Sequence, residues 1–278
     1  MGIKSANFTL VSVKFVIAIA LTISLATSVN AQSDWNPNIL SDGQPDITGM
    51  WNNVGATATP LELADQFQGR VPSQEEITEF IHGRDSARKG AVWTGFENSK
   101  GVGAYENYWF DWFWKEPAAI DAPALLIEPA NGKMPSMTDK GQKSVAYYRE
   151  HLHDSYSTME SGDRCVSRGT YGIMMPTAYN NGKMFFQTPN HVVILSEMIH
   201  TARIIPISTE PHVEDTITQW NGDPRGRWEG DTLVVETTNY NDQGTIGTNI
   251  ASRGLRGIQQ SEALTIVERF TRVDADTV

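Results

Sequence analysis

Apolar positions recur at helical spacing twice in the first half of the chain and at strand spacing through the second half. Ser73-Gln74-Glu75-Glu76 reads as a helix start, with Ser73 as N-cap and Glu76 closing a capping box. Ile77, Phe80 and Ile81 supply an apolar stripe, and Arg84, Arg88 and Lys89 suit the negative end of the dipole, so the helix is predicted to run to about Ala87. A second helix over 138–153 has Thr138 as its N-cap and Val145, Tyr148 and Leu152 on one side.

From Asn181 onward the period changes to that of strands, expected at 184–187, 191–198, 201–207, 216–220, 227–229, 232–238 and 263–273. Asn180-Asn181-Gly182, Pro189-Asn190, Asn221-Gly222 and Gly230-Asp231 punctuate them as turns. An earlier short strand follows Gln44-Pro45-Asp46, and its Gly49-x-Trp51 is similar to the first strand of lipocalins. The predicted fold class is therefore mainly β: an antiparallel meander closing as a lipocalin-like barrel, with two helices in the N-terminal half. Residues 241–257, glycine-rich and polar, are too long for a tight turn and read as a mobile flap. The strand at 263–273 opens a hairpin that is not closed, so it is either an edge or the last strand of a fragment.

The densest motif is residues 219–239, QWNGDPRGRWEGDTLVVETTN, with Asp223, Arg225, Arg227, Glu229 and Asp231 on alternate positions. A two-residue Gly230-Asp231 loop fits a type II′ turn, which pairs Glu229 with Thr232, Trp228 with Leu233 and Arg227 with Val234. Trp228, Leu233 and Val235 then share one face, and Arg227, Glu229 and Glu236 the other, as cross-strand ion pairs. Asp223-Pro224-Arg225-Gly226 reads as a separate turn that takes Asp223 and Arg225 out of the strand register.

Lys4 and Lys14, the apolar run 15–25 and the small-x-small pattern Val29-Asn30-Ala31 make residues 1–31 a signal peptide, with Gln32 as the first mature residue. The apolar run falls short of the about 20 residues that span a bilayer, leaving an uncleaved N-terminal anchor as the alternative. The expectation is a periplasmic or secreted protein whose residues 32–278 form a single β-rich domain, truncated at its C-terminus, with no membrane association after cleavage. Losing Lys4 and Lys14 leaves 20 basic against 33 acidic residues, a net of −13, which removes nucleic acid from the candidate partners. Cys165 is the single cysteine, an odd number for an oxidising compartment. Three readings compete: a buried reduced thiol, a disulfide whose partner is absent from this chain, and a thiolate activated by Arg164 and Arg168.

For chemistry, residues 105–114 (YENYWFDWFW) hold seven aromatics in ten positions. They either fill the core or wall a pocket for an apolar or aromatic ligand, with Tyr105, Tyr108, Trp109, Trp112 and Arg227 as the binding residues. Acid/base candidates are His191 and His200, which flank the 192–199 segment, together with Asp223 and Arg225. If Val193 and Leu195 point inward, so do His191 and Glu197. His151 and His153 share a face for a metal only if the helix has already ended, and no metal ligand set is assigned. No GxSxG, HExxH, CxxC, P-loop or complete GxGxxG is present, so no cofactor is indicated. Three functions remain: a holder of a small apolar or aromatic molecule, a periplasmic hydrolase or lyase using His/Asp chemistry, and an envelope interaction protein.

Arg164-Cys165, Tyr179-Asn180-Asn181, Gln187-Thr188-Pro189, His200-x-x-Arg203-Ile204-Ile205-Pro206, Pro211-His212, Glu268-Arg269-Phe270 and above all W-x-G-D-x-R-G-R-W-E-G-D-T-L-V-V at 220–235 carry a resemblance. Over residues 45–278 the chain resembles a family of exported bacterial proteins. The resemblance implies further strands and a Cys-His-Glu-Gly-Asn run beyond residue 278, hence a truncated chain and a disulfide partner for Cys165. It implies no reaction and no cofactor.

Overall fold

Turn chemistry sets the register of the second half of the chain. Gly230 takes the left-handed conformation (φ +59°) while Asp231 does not, the signature of a type II′ turn. Glu229 faces Thr232, Trp228 faces Leu233 and Arg227 faces Val234, as the two-residue loop requires. The computed structural model describes residues 35–53, 59–67, 70, 72–73, 75–80, 83, 123–177, 179–246, 255 and 257–278.

Seven strands result among the described residues. In one antiparallel sheet β1 (Gly49–Asn52), β2 (Gly182–Thr188), β3 (His191–Ser196) and β4 (Ala202–Pro206) lie in that order. In the other, β5 (Asp223–Glu229), β6 (Thr232–Thr238) and β7 (Ile266–Thr271) follow suit. Phe185, Val192, Ile194 and Ile205 from the first sheet and Leu233, Val235 and Phe270 from the second form one buried cluster, so the sheets pack inner face to inner face. Phe185 and Phe270 meet edge to face with centroids 5.5 Å apart.

A charge pair crosses this interior. Arg203 shares the inward face of β4 with Ile205, and Glu268 shares that of β7 with Phe270. The guanidinium grips the carboxylate with both terminal nitrogens, Nη1 donating to Oε1 at 2.9 Å and Nη2 to Oε2. Their side chains are only 2% and 13% exposed, so neither charge has bulk water to fall back on. Tyr240, fully buried beside the pair, has its phenol pushed up by that burial.

The sheets also touch at their edges. Ile207, just past β4, makes a parallel bridge to Gly226 of β5, and Ser208 N–H donates to the Gly226 carbonyl at 3.1 Å. A Cβ at Gly226 would sit 2.8 Å from Ile207 Cδ1 and 3.0 Å from Ile205 Cγ2, so this approach requires glycine. On the opposite side Trp228 Nε1 donates to Gln44 Oε1 at 3.0 Å. Arg272 reaches the Asp46 carbonyl at 3.3 Å and lies over the rings of Trp51 and Trp35. The fold is mainly β and antiparallel; among the described residues the strands make two sheets and no closed barrel.

Helices begin where the sequence placed their caps. Ser73 and Glu76 exchange both capping-box bonds, at 2.8 and 3.3 Å, and residues 75–80 are helical. Helix α1 (Asp139–Glu150) starts on Thr138, whose Oγ1 accepts from Gly141 N at 3.1 Å. A short third helix, α2 (Gly169–Met174), went unforeseen because six residues carry too little periodicity to register. None of the described helices is long and apolar enough to cross a membrane.

Several expectations are corrected. Asp223 and Arg225 do not form a turn outside the register: β5 runs unbroken from Asp223, which pairs with Thr238, and Arg225 pairs with Glu236. Pro224 is tolerated because β5 is at the edge of its sheet. Val192, Ile194 and Ser196 point inward, not Val193 and Leu195, which turns His191 and Glu197 out to solvent. Glu229 pairs with Arg227 two residues back and with Arg269 on β7, while among the described residues Glu236 has His212 and no arginine within ion-pair distance. The strand expected at 216–220 reduces to one bridge, Gln219 to Tyr240. The aromatic segment with Tyr105, Tyr108, Trp109 and Trp112, the expected signal peptide, the expected continuation of the first helix past residue 83 and most of the expected flap lie outside the described residues.

The buried pair gives the first test. Glu268→Gln strands a buried guanidinium and is expected to destabilise the protein by about 3–5 kcal/mol in urea unfolding followed by tryptophan fluorescence. The double change Arg203→Met with Glu268→Leu is expected to recover most of that loss.

Candidate functional site

The connection from β4 to β5, residues 207–222, passes over the start of β5 and is pinned there by two side chains. Asn239, at the end of β6, donates through Nδ2 to the carbonyls of Val213, Glu214 and Ile217 at 3.2, 3.0 and 3.2 Å. Asp223 accepts from Val213 N–H at 3.1 Å through Oδ2. Between them they hold His212 against the sheet.

His212 Nδ1 lies 3.1 Å from Asp223 Oδ2, and its Nε2 lies 3.5 Å from Glu236 Oε1. In the tautomer that lets Nδ1–H donate to Asp223, Nε2 carries the lone pair and is the atom free to exchange a proton. The ring is about a fifth exposed, whereas the Asp223 side chain is 9% exposed. Arg225 completes the group: Nη1 donates to Asp223 Oδ1 at 2.6 Å and to the Pro224 carbonyl at 2.9 Å, and Nη2 to the Pro211 carbonyl at 3.3 Å. Burial raises the Asp223 carboxyl, but the Val213 amide, Arg225 and His212 together outweigh it and hold the group below its ordinary value. The result is a carboxylate held charged to below its ordinary value that orients one imidazole, an arrangement suited to general acid/base work.

Of the predicted site residues that are described, the structure brings together Asp223 and Arg225 and leaves His191, His200 and Arg227 apart. His200 is exposed, with Nδ1 3.1 Å from the Glu197 carbonyl. His191 is exposed at the β2–β3 hairpin, in register with Pro206. Neither touches Asp223; His212 takes the place assigned to them. Arg225 is not a free anion holder, since its guanidinium is committed to Asp223 and two carbonyls. Arg227 is exposed on the outer face, bound to Glu229 at 2.7 Å. Cys165 is exposed and unpaired, which overturns its reading as a buried thiol. Among the described residues no group of three or more histidine, cysteine or acidic side chains is placed to hold a metal.

The sequence reading missed His212 because its partners are set by tertiary structure, through Asn239 and Asp223. The available signal was Pro211-His212 itself, a histidine in the connection leading to the charged motif. Comparison with protein-family models, with curated proteins and with solved structures gives no match to this chain.

Asp223 makes the site sensitive to acid. Its folded value lies below 3.8, so the folded protein binds fewer protons there than the unfolded chain as the pH falls past that value. The stability it contributes is present above about pH 4 and drains away as the pH drops through the folded value. Asp223→Asn is expected to lower stability by about 1–3 kcal/mol at pH 7 and to flatten the acid limb of a thermal-melting profile between pH 5 and pH 2.

Proposed function

We propose that the protein is an exported acid/base enzyme of the hydrolase or lyase type, acting on a small molecule, in which His212 Nε2 moves the proton. One observation carries the reading: a solvent-reachable imidazole whose other nitrogen is held at 3.1 Å by a buried, charged carboxylate. Asp223 would orient the ring and stabilise its protonated form, and Asn239 would keep the loop in place. Glu236, 3.5 Å from Nε2, is placed to hand a proton to or from solvent. Export to the periplasm or beyond, and membership of the family marked by the 220–235 motif, are part of the same proposal. They are supported by the N-terminal pattern and by the motif.

A second reading is a holder of apolar or aromatic ligands in a lipocalin-like barrel. It is supported by the composition of residues 105–114 and by the bridge of Ile207, just past β4, to Gly226 of β5 at one edge of the two sheets. Its signature is ligand-dependent thermal stabilisation without turnover.

The decisive experiment is an activity screen of the purified protein over esters, lactones, glycosides and β-elimination substrates. His212→Ala is expected to lower kcat about 100-fold or more on any substrate found, and Asp223→Asn to do so nearly as strongly. His191→Ala and His200→Ala are expected to leave it within twofold. Turnover that survives His212→Ala would reject the assignment.

A further inference from the structure

The outward-facing positions of the two sheets carry opposite chemistry. In the second sheet they hold Asp223, Arg225, Arg227, Glu229, Glu236 and Arg269, which pair with one another or with His212. In the first sheet twelve positions face outward, two on β1, four on β2, three on β3 and three on β4, and none of them is Asp, Glu, Lys or Arg. Two adjacent rows run across the strands in register: Met50, Met184, Leu195 and Ala202, then Phe186, Val193 and Ile204. Met50 is 70% exposed, Ile204 60% and Phe186 46%, so the described residues leave these rows open to water. The acid at one end of the face, Glu197, is tied to the sheet's own backbone, its Oε2 accepting from Gly182 N–H at 3.0 Å. Contiguous apolar surface of this kind marks a contact site.

Charge, shape and area point to the same occupant, a second copy of this chain. The chain carries a net charge of −11, so two copies repel wherever acids would face each other, and the outward rows of the first sheet bring no acid against an acid. The face is a flat sheet about 19 Å wide, whereas a helix laid on it covers only about 10 Å of that width. Another such sheet matches it, packing about 10 Å away with its strands within about 30°, and a two-fold axis sets apolar rows against apolar rows. At about 32 Å2 for each outward position, the twelve positions span about 400 Å2 on each copy. That is about half of a standard-size interface, which places the contact among weak, reversible ones.

We propose that the protein forms a weak two-fold dimer through the outer face of its first sheet. Asp223 and Glu236, which hold the His212 ring, belong to the outer face of the other sheet, so association leaves that group open.

The test is sedimentation velocity on the whole chain from about 1 to 500 µM, over which the mass is expected to move reversibly from one copy toward two. Raising NaCl from about 50 to 500 mM is expected to strengthen the association, because salt screens the repulsion between two acidic chains. Ile204→Glu and, on the opposite border of the sheet, Met50→Glu are each expected to weaken it about tenfold or more by placing an unpaired charge in the contact. Val267→Glu, at a position 54% exposed on the second sheet, is expected to leave it unchanged. At the lowest concentration all three variants are expected to melt with wild type, since each side chain is open to solvent in the single copy. Independently of any variant, the methyl resonances of Met50, Met184 and Ile204 in wild type are expected to shift with concentration while those of Val267 do not. The proposal fails if the protein stays a single copy throughout, if its mass climbs past two copies, or if salt weakens the association. It fails equally if Ile204→Glu and Met50→Glu leave the association intact, if Val267→Glu weakens it as much, or if the shifting resonances lie elsewhere. Melting of dilute Ile204→Glu and Met50→Glu several degrees below wild type would also overturn it, showing the face to be covered by the chain's own residues.

Discussion

An ion pair between two sheets permits very little freedom in how they meet. Arg203 and Glu268 are each stranded in the interior without the other, so the sheets must slide to the one offset at which fork and carboxylate align. Apolar side chains alone would accept neighbouring offsets with modest loss, since a methyl group packs nearly as well one notch along. With the offset fixed, Ile207 comes to lie beside Gly226, and the chain between them has to travel from β4 to β5 across the sheet edge. That path is what carries His212 over Asp223. The candidate site therefore depends on a contact made among different residues in the core.

The parts of this fold that could be read from sequence are those decided by neighbours in the chain. The Gly230-Asp231 turn, the Ser73 capping box and the Thr138 cap are each settled within four residues, and each formed with the partners expected. The phase of β3 was not legible for a physical reason. Val192-Val193-Ile194-Leu195 is apolar at every position, and the outer face of its sheet is itself apolar, with Met50, Phe186 and Ile204 exposed. Alternation gives no phase where both faces are hydrophobic, and a one-residue slip exchanges the inward and outward sets. Asp223 and Arg225 were misread because Pro224 and Gly226 are turn formers by composition, whereas an edge strand accepts both. The site was half legible: the acid and the arginine were found within the charged motif, and the histidine was not, because only the fold brings it there.

Strand β5 shows how position, not residue type, decides what a charge does. Asp223, Arg225, Arg227 and Glu229 stand on one face at every second residue, yet their surroundings grade from enclosed to open. At one end Asp223 is nearly covered, and its bonds to Arg225, Val213 and His212 are made where little water competes. At the other, Glu229 sits between Arg227 and Arg269 in open solvent, where such a cluster contributes little to stability and is screened by salt. The same alternating pattern thus yields a polar site at its covered end and an ordinary solvated ladder at its open end.

The clasp of Arg272 on Asp46, Trp51 and Trp35 joins the beginning of the described chain to its last strand, and β1 waits for β2 across some 130 intervening residues. A polypeptide that emerges from its N-terminus cannot seat Trp51 or complete the first sheet until much later sequence has followed. Folding here is vectorially delayed: the early segment must remain unstructured or borrow protection while the rest is made.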